Sequence, residues 1–269
     1  MATKSIKTNY LYNLLYQIVA LLVPFITAPY VSRVLEADGI GKYSYYSAIV
    51  YYFTLVANLG IGAYGQIEVA KIRDNQEKLN KIFSELIAIK LALGICCSAA
   101  FFAFAAFMAE RTLYIVLFPT LLGGIFDIGW FYTGIEDFKK ISIRSTVMRL
   151  INVTCLFIFI RKKEDLLLYS LINSVLTLFG SLVLWVHLER FVAVSFRHLS
   201  FSSFVPHFRG CFIFFLPTVA NTLYTIFSKT LLGLIGKSDF ENGYYEQSYR
   251  VVTIVMALLG SLFGILCSR

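Results

Sequence analysis

Charge is what this chain has least of. Asp, Glu, Lys and Arg together make up 15% of its 269 residues, too few to cover the surface of a water-soluble protein of this size. No connector between its apolar runs is long enough to house a soluble domain. The five cysteines, Cys96, Cys97, Cys155, Cys211 and Cys267, are odd in number and lie in or beside apolar runs. That pattern excludes a disulfide framework and a zinc spacing, and they read as small core hydrophobes. Histidine occurs three times, at His187, His198 and His207, with no carboxylate or cysteine set beside them in sequence, so no metal site is expected. No Ser/His/Asp grouping, nucleophile elbow or pair of catalytic carboxylates stands out. The expectation is therefore a protein that is not an enzyme and carries no cofactor. Gly60, Gly62 and Gly65 match G-x-G-x-x-G, but no strand precedes them, and close helix packing explains them better than a nucleotide loop. The net charge of +8 is scattered rather than gathered in a stripe, which argues against nucleic acid and for anionic lipid headgroups.

What is present is apolar length. Hydrophobic residues reach 58% and aromatics 16%, with a mean hydropathy of +0.72. Eight runs have membrane-spanning length: Asn9 to Val31, Tyr43 to Gly62, Ile82 to Met108, Leu113 to Tyr132, Thr146 to Ile160, Leu166 to His187, Cys211 to Ile235 and Gln247 to Cys267. In hydrocarbon every backbone polar group must be satisfied within its own segment, so these runs predict helices. The expected fold is an all-α membrane protein, a multi-span bundle of about eight transmembrane helices. Lys4 and Lys7 precede the first run with no small-residue cleavage site after it, which predicts an uncleaved first helix. Lys71, Arg73, Lys78 and Lys81 in one connector, and Lys139 and Lys140 in another, place those connectors and the N-terminus in the cytoplasm. On the same count Arg144 and Arg149 fall on the cytoplasmic side and Arg250 on the opposite one. Tyr43, Tyr45, Tyr46, Tyr51 and Tyr52, with Trp130 and Tyr132, are expected at the membrane interfaces, and the Phe-rich, basic stretch from His187 to Arg209 in the headgroup plane.

A charge at bilayer depth costs about 2.5–3.5 kcal/mol on insertion scales, so ionisable residues inside the runs are the functional candidates. Lys229 shares a helical face with Asn221, Thr225 and Ser228; it either faces a wet interior or snorkels to the headgroups beyond Gly236. Asn9, Asn13 and Gln17 recur at i+4 and can serve a substrate or another helix. Pro24 and Pro29 in the same run allow a bend, with Arg33 just beyond. Lys90 and Asp127 are further candidates, which an ion pair between them would explain structurally. An internal echo runs through the chain: Pro24, Ser32-Arg33-Val34-Leu35 and Gly41-Lys42-Tyr43 match Pro217, Ser228-Lys229-Thr230-Leu231 and Gly243-Tyr244-Tyr245 in order, though not in spacing. It predicts a six-helix repeat whose second copy breaks off after two helices.

Several stretches resemble one family. They are Pro29-Tyr30-Val31-Ser32-Arg33-Val34-Leu35 with Gly39-Ile40-Gly41-Lys42-Tyr43, then Tyr64-Gly65-Gln66-Ile67-Glu68-Val69-Ala70-Lys71-Ile72-Arg73-Asp74, then Trp130-Phe131-Tyr132-Thr133-Gly134-Ile135-Glu136-Asp137-Phe138-Lys139-Lys140, and Gly243-Tyr244-Tyr245. The chain resembles the Wzx-type polysaccharide and oligosaccharide flippases of the multidrug/oligosaccharidyl-lipid/polysaccharide exporter superfamily. Two departures stand out: Ser228 precedes Lys229 where the family often has an acid, and the chain ends at Arg269 where the family continues. The resemblance implies an N-terminal portion, with a six-helix lobe over residues 1–210, an interfacial linker at 187–210 inside it, and the start of a second lobe over 211–269.

It also implies a multi-pass protein of the bacterial cytoplasmic membrane that flips oligosaccharide carried on undecaprenyl pyrophosphate for capsule or O-antigen assembly. Its partners would be that lipid-linked sugar, membrane lipids and other polysaccharide assembly proteins, with no nucleic acid. Arg33, Lys90 and Lys229 are then expected to contact phosphate, Asn9, Asn13, Gln17 and Asn221 to contact sugar or helix, and Asp127 to couple an ion. The rivals are a cation-coupled drug exporter of the same superfamily, which needs intramembrane carboxylates, and a non-transporting membrane scaffold.

Overall fold

A computed structural model describes residues 6–186, 188–195, 201–236 and 238–267, and among them every regular element is a helix. In chain order these are α1 (Ile6–Asn58), α2 (Ile61–Ile72), α3 (Gln76–Phe107), α4 (Arg111–Phe126), α5 (Gly129–Gly134), α6 (Phe138–Phe159), α7 (Leu166–Val183), α8 (Phe201–Ile235) and α9 (Asp239–Cys267). Among the described residues six helical stretches are long and apolar enough to cross a membrane, the first being Leu22–Ile72 and the last Phe204–Ile235. The chain is a multi-span helical membrane protein, as its composition demands.

The expected first and second spans are the two arms of α1. They part at Glu36, whose φ of 57° and ψ of −178° interrupt the helix. Lys163, in the short turn before α7, reaches across to Glu36 Oε2 at 2.9 Å and Asp38 Oδ2 at 3.0 Å and ties that break to the rest of the bundle. Leu59 (φ 41°) and Gly60 (φ 73°) turn the chain from α1 into α2. Asn75 caps α3 by accepting the Lys78 amide on Oδ1 at 3.1 Å, the role for which a short amide side chain is favoured. Between these helices Arg73 pairs with Glu136 at 2.5 Å, and that bond holds the Arg73 guanidinium above its ordinary range.

The apolar side chains divide into an interior and an outer belt. Phe83, Trp130, Phe131 and Tyr132 form one core with α2 and the base of α8; Val50, Phe101, Tyr114 and Leu117 form a second between α1, α3 and α4. Val31, Leu35, Leu156 and Tyr169 form a third around the break in α1. Phe107, Ile115, Ile213 and Leu234 are among many large apolar residues left exposed, a distribution suited to lipid rather than water. Trp130 and Tyr132 correct the expectation of interfacial anchors. Trp130 is 6% exposed and stacks on Phe83 with ring centroids 5.6 Å apart, while Tyr132 is fully buried and donates its hydroxyl to the Leu184 carbonyl at 2.7 Å. The Tyr132 hydroxyl, with a partner inside the bundle, has no need of the headgroups; Trp130 is held by its stacking, and its indole Nε1 is buried with no hydrogen-bond partner among the described residues.

Two boundaries differ from the sequence reading. The fourth span breaks at Asp127, which leaves α5 as a separate short helix. The fifth begins at Phe138, so Arg144 lies inside α6 and not in a connector, and Arg149 lies three turns into the helix and not at its start. Residues 188–195 lie along α3, where Asn80 Oδ1 and Ser84 Oγ accept the amides of Ala193 and Ser195 at 3.0 and 3.1 Å. The chain then enters α8, which runs unbroken across residue 210. Gly41 on α1 and Gly243 on α9 meet backbone to backbone: a Cβ on the first would strike the Asp239 carbonyl, and one on the second the Ala37 carbonyl.

Candidate functional site

Several polar residues of α6 share one face. Ser145, Arg149 and Asn152 stand at helical spacing with Arg144 adjacent to the first, and opposite them α7 presents Asn173, Thr177 and Ser181. Thr54 of α1, Thr120 of α4 and Asp127 complete the wall of a cleft of about 510 Å³. Gly123, Gly124 and Gly180 let the helices come this close; a Cβ at Gly124 would collide with Thr54, and one at Gly180 would lie 3.2 Å from Met148. Asp127 Oδ1 is 3.8 Å from Arg144 Nη2. The buried Arg144 Nε has no hydrogen-bond partner among the described residues. Such a cleft holds guanidinium groups that match phosphate geometry.

A second charged group lies where α8 and α9 pack on α1. Glu246 is its hub. Lys229 Nζ approaches Glu246 Oε2 at 2.6 Å and Arg250 Nε approaches Oε1 at 3.1 Å, while Ser44 donates to Oε2 at 2.9 Å. Lys229 Nζ also lies 5.2 Å from the centre of the Tyr249 ring, and Asn242 donates to the Lys229 carbonyl at 3.0 Å. With two cations on one carboxylate, the group carries one net positive charge.

Polar side chains lie between the two groups. Asn152 donates to Asn173 at 3.0 Å, and Asn173 donates to the Tyr169 carbonyl at 2.8 Å. The Tyr169 side chain lies beside Arg250. A polar path therefore leads from the cleft of Arg144 and Asp127 along α7 toward Arg250 and Lys229, inside a bundle whose outer face is apolar.

The structure places the expected candidates unequally. Lys229 lies on this path, half-buried and paired. Asp127 lies in the cleft. Lys90 is buried and does not line the cleft: its Nζ donates to the main-chain carbonyl of Asp127 at 2.5 Å, while the Asp127 carboxylate faces Arg144. Arg33 is exposed on the first arm of α1, and Asn221 is exposed on α8. The side chains of Asn9, Asn13 and Gln17 lie outside the described residues. Sequence reasoning missed Arg144, Arg149, Glu246 and Arg250. The signal is there: Asn242, Glu246 and Arg250 repeat at i+4, as do Ser145 and Arg149, but the expected spans Thr146 to Ile160 and Gln247 to Cys267 cut through both repeats and leave Arg149 and Arg250 at their ends.

His207 likewise differs from expectation. It has no carboxylate near it in sequence, yet its Nε2 lies 3.0 Å from Glu85 Oε2.

The fold and the site define a multi-span helical membrane protein with charged groups in its interior. The chain belongs to the family described as polysaccharide biosynthesis protein, whose model matches residues 6–266. It is similar to a putative O-antigen transporter of Shigella dysenteriae, with 26% identity over 221 residues, 78% of this chain and 54% of the relative. It is also similar to a putative O-antigen transporter of Escherichia coli strain K12, with 23% identity over 235 residues, 86% of this chain and 57% of the relative. The chain thus spans just over half the length of these relatives. No solved structure matches it.

Proposed function

We propose that the chain is part of a flippase that carries oligosaccharide linked to undecaprenyl pyrophosphate across the bacterial cytoplasmic membrane, with its N-terminus inside. The observation that carries this reading is the polar path from Arg144 and Arg149 to Arg250 and Lys229. A diphosphate needs closely spaced cationic donors at a depth where water is scarce, and sugar hydroxyls need donors and acceptors such as Asn152 and Asn173 between them. The polyprenyl tail needs neither and can stay in lipid beside the cleft. Charge on the path is set for an anion: each carboxylate that reaches it, Asp127 and Glu246, already faces a cation. A drug exporter driven by cations would want those carboxylates open to its ion.

On this reading residues 1–210 form one lobe and residues 211–269, the rest of α8 with α9, open the next, with movement between them exposing the path to one side and then the other. The binding of substrate and its passage are transport steps, and no bond in the substrate is broken. The family and the names of the relatives support this class of function, and the arrangement of cations supports the class of substrate.

The test is a vesicle assay with this chain and a fluorescent lipid-linked oligosaccharide, scored by the fraction protected from a membrane-impermeant quencher. The expected result is transbilayer movement faster than in protein-free vesicles, reduced about tenfold or more by Arg144→Ala with Arg149→Ala. Movement no faster than in protein-free vesicles would overturn the reading for this chain and leave it the role of a membrane scaffold.

A further inference from the structure

The two carboxylates on the polar path are held in different ways. Glu246 is bonded closely, with Lys229 at 2.6 Å and Arg250 at 3.1 Å. Asp127 is not. Its Oδ1 lies 3.8 Å from Arg144 Nη2, too far for a hydrogen bond. A guanidinium settled on a carboxylate makes two parallel bonds of about 2.7–2.9 Å. Arg144 makes none to Asp127, and its Nε is buried with no hydrogen-bond partner among the described residues. Burial of an unbonded donor is costly, and a native structure that keeps one calls for a reason.

Asp127 is held by its own chain instead. Its Oδ1 accepts the Gly129 amide at 3.3 Å, and its main-chain carbonyl accepts from the ammonium of Lys90, which is 1% exposed. The backbone is therefore pinned at the break between α4 and α5, while the side chain, 42% exposed, can turn about its own bonds. The carboxylate is near enough to offset the charge of Arg144 at a depth where a bare cation is expensive. It is not near enough to saturate the guanidinium. Such a contact is one that a better anion can take over: a phosphate offers the fork of Nε and Nη2 two oxygens at once.

We infer that Asp127 is a resident competitor for the substrate's diphosphate: a phosphate entering the cleft takes Arg144 through Nε and Nη2, the carboxylate turns aside, and its return helps to expel the phosphate. The inference deepens the flippase reading and rests on it. A carrier has to release what it binds, so a site along its route must hold the cargo firmly enough for entry and loosely enough for exit. A carboxylate beside the guanidinium supplies the loosening, since like charges at this range repel even where water screens them. The sign is distinctive. Removing the Asp127 charge should tighten diphosphate binding, whereas a carboxylate that only couples an ion or braces a helix gives no such gain.

The chain in nanodiscs of neutral lipid is titrated with two probes, farnesyl pyrophosphate and inorganic pyrophosphate, at low ionic strength, with binding to protein-free nanodiscs subtracted. Asp127→Asn is expected to bind farnesyl pyrophosphate about tenfold or more tighter than the unsubstituted chain. Adding Arg144→Gln is expected to remove that gain, because the competition is for Arg144. Asp127→Ser, whose hydroxyl can still accept the Gly129 amide, gives a second reading should Asp127→Asn insert poorly. Affinity that is unchanged or weaker in both Asp127 variants, or a gain that survives Arg144→Gln, would overturn the inference and leave the flippase reading standing. Loss of the folded chain in both variants would make Asp127 a structural partner of Arg144 and overturn it as well. Equal affinity of Asp127→Asn for the two probes, with the gain intact, would keep the competition and assign the cleft to a soluble diphosphate, a failure of the flippase reading alone. Binding of neither probe by any form would overturn both.

Discussion

Glu246 shows how one side chain can organise two cations. Its carboxylate takes Lys229 on one oxygen and Arg250 on the other, with Ser44 completing the shell. Lys229→Met should leave Arg250 and Ser44 in place, costing about 1–3 kcal/mol of stability while transport falls about tenfold or more; unfolding in detergent and the vesicle assay read the two separately. Glu246→Gln strands two cations together and should cost about 3–5 kcal/mol. The double variant should recover part of that loss, because it removes a charge of each sign, and a double-mutant cycle on the unfolding midpoint measures the coupling. Lys229 was legible in the sequence as a cation inside an apolar run. Its partner was not, because Glu246 lies on the next helix near a span boundary, and a single sequence shows only what lies along one helix face.

At the scale of the element, the long apolar runs were fully legible, since hydrocarbon leaves helices as the only way to satisfy so many backbone groups. What escaped was where they break. Glu36 sits in a backbone region that is almost reserved for glycine, and no feature of its own side chain announces it. Glu36→Gly should relieve about 1–3 kcal/mol of strain and forgo an exposed pair with Lys163 worth about 0–1 kcal/mol. The unfolding midpoint in detergent is expected to rise, and a fall would show that the Lys163 contact outweighs the strain. The break at Asp127 was hidden for a different reason: the apolar run continues through it, and the Lys90 ammonium rather than a loop composition satisfies the freed carbonyl.

For the whole molecule, the proposed orientation rests on the charges of the loops. With the N-terminus inside, a cysteine at Lys78 should be reached by an impermeant thiol reagent only in inverted vesicles, and one at Lys162 only in right-side-out vesicles. Labelling from the reverse sides would invert the proposed direction of transport. The two halves of the echo also meet in space, at Gly41 and Gly243, where the helix backbones touch. Gly243→Leu should force α9 off α1, remove the Ser44 contact from Glu246 and lower the unfolding midpoint, whereas Gly62→Leu, at a glycine with open space around it, should not.

That glycine contact joins segments far apart in time as well as in sequence, since Ser44 and Glu246 are separated by 202 residues. During synthesis the second arm of α1 enters the bilayer long before α9 exists. Its glycine groove and the Ser44 hydroxyl must wait among lipids or passing helices until the ribosome has delivered the last of its neighbours. The stage most open to mispairing is therefore the interval in which α3 through α7 have inserted and α9 has not, and substitutions that enlarge Gly41 should be felt as poor biogenesis before they are felt as lost activity.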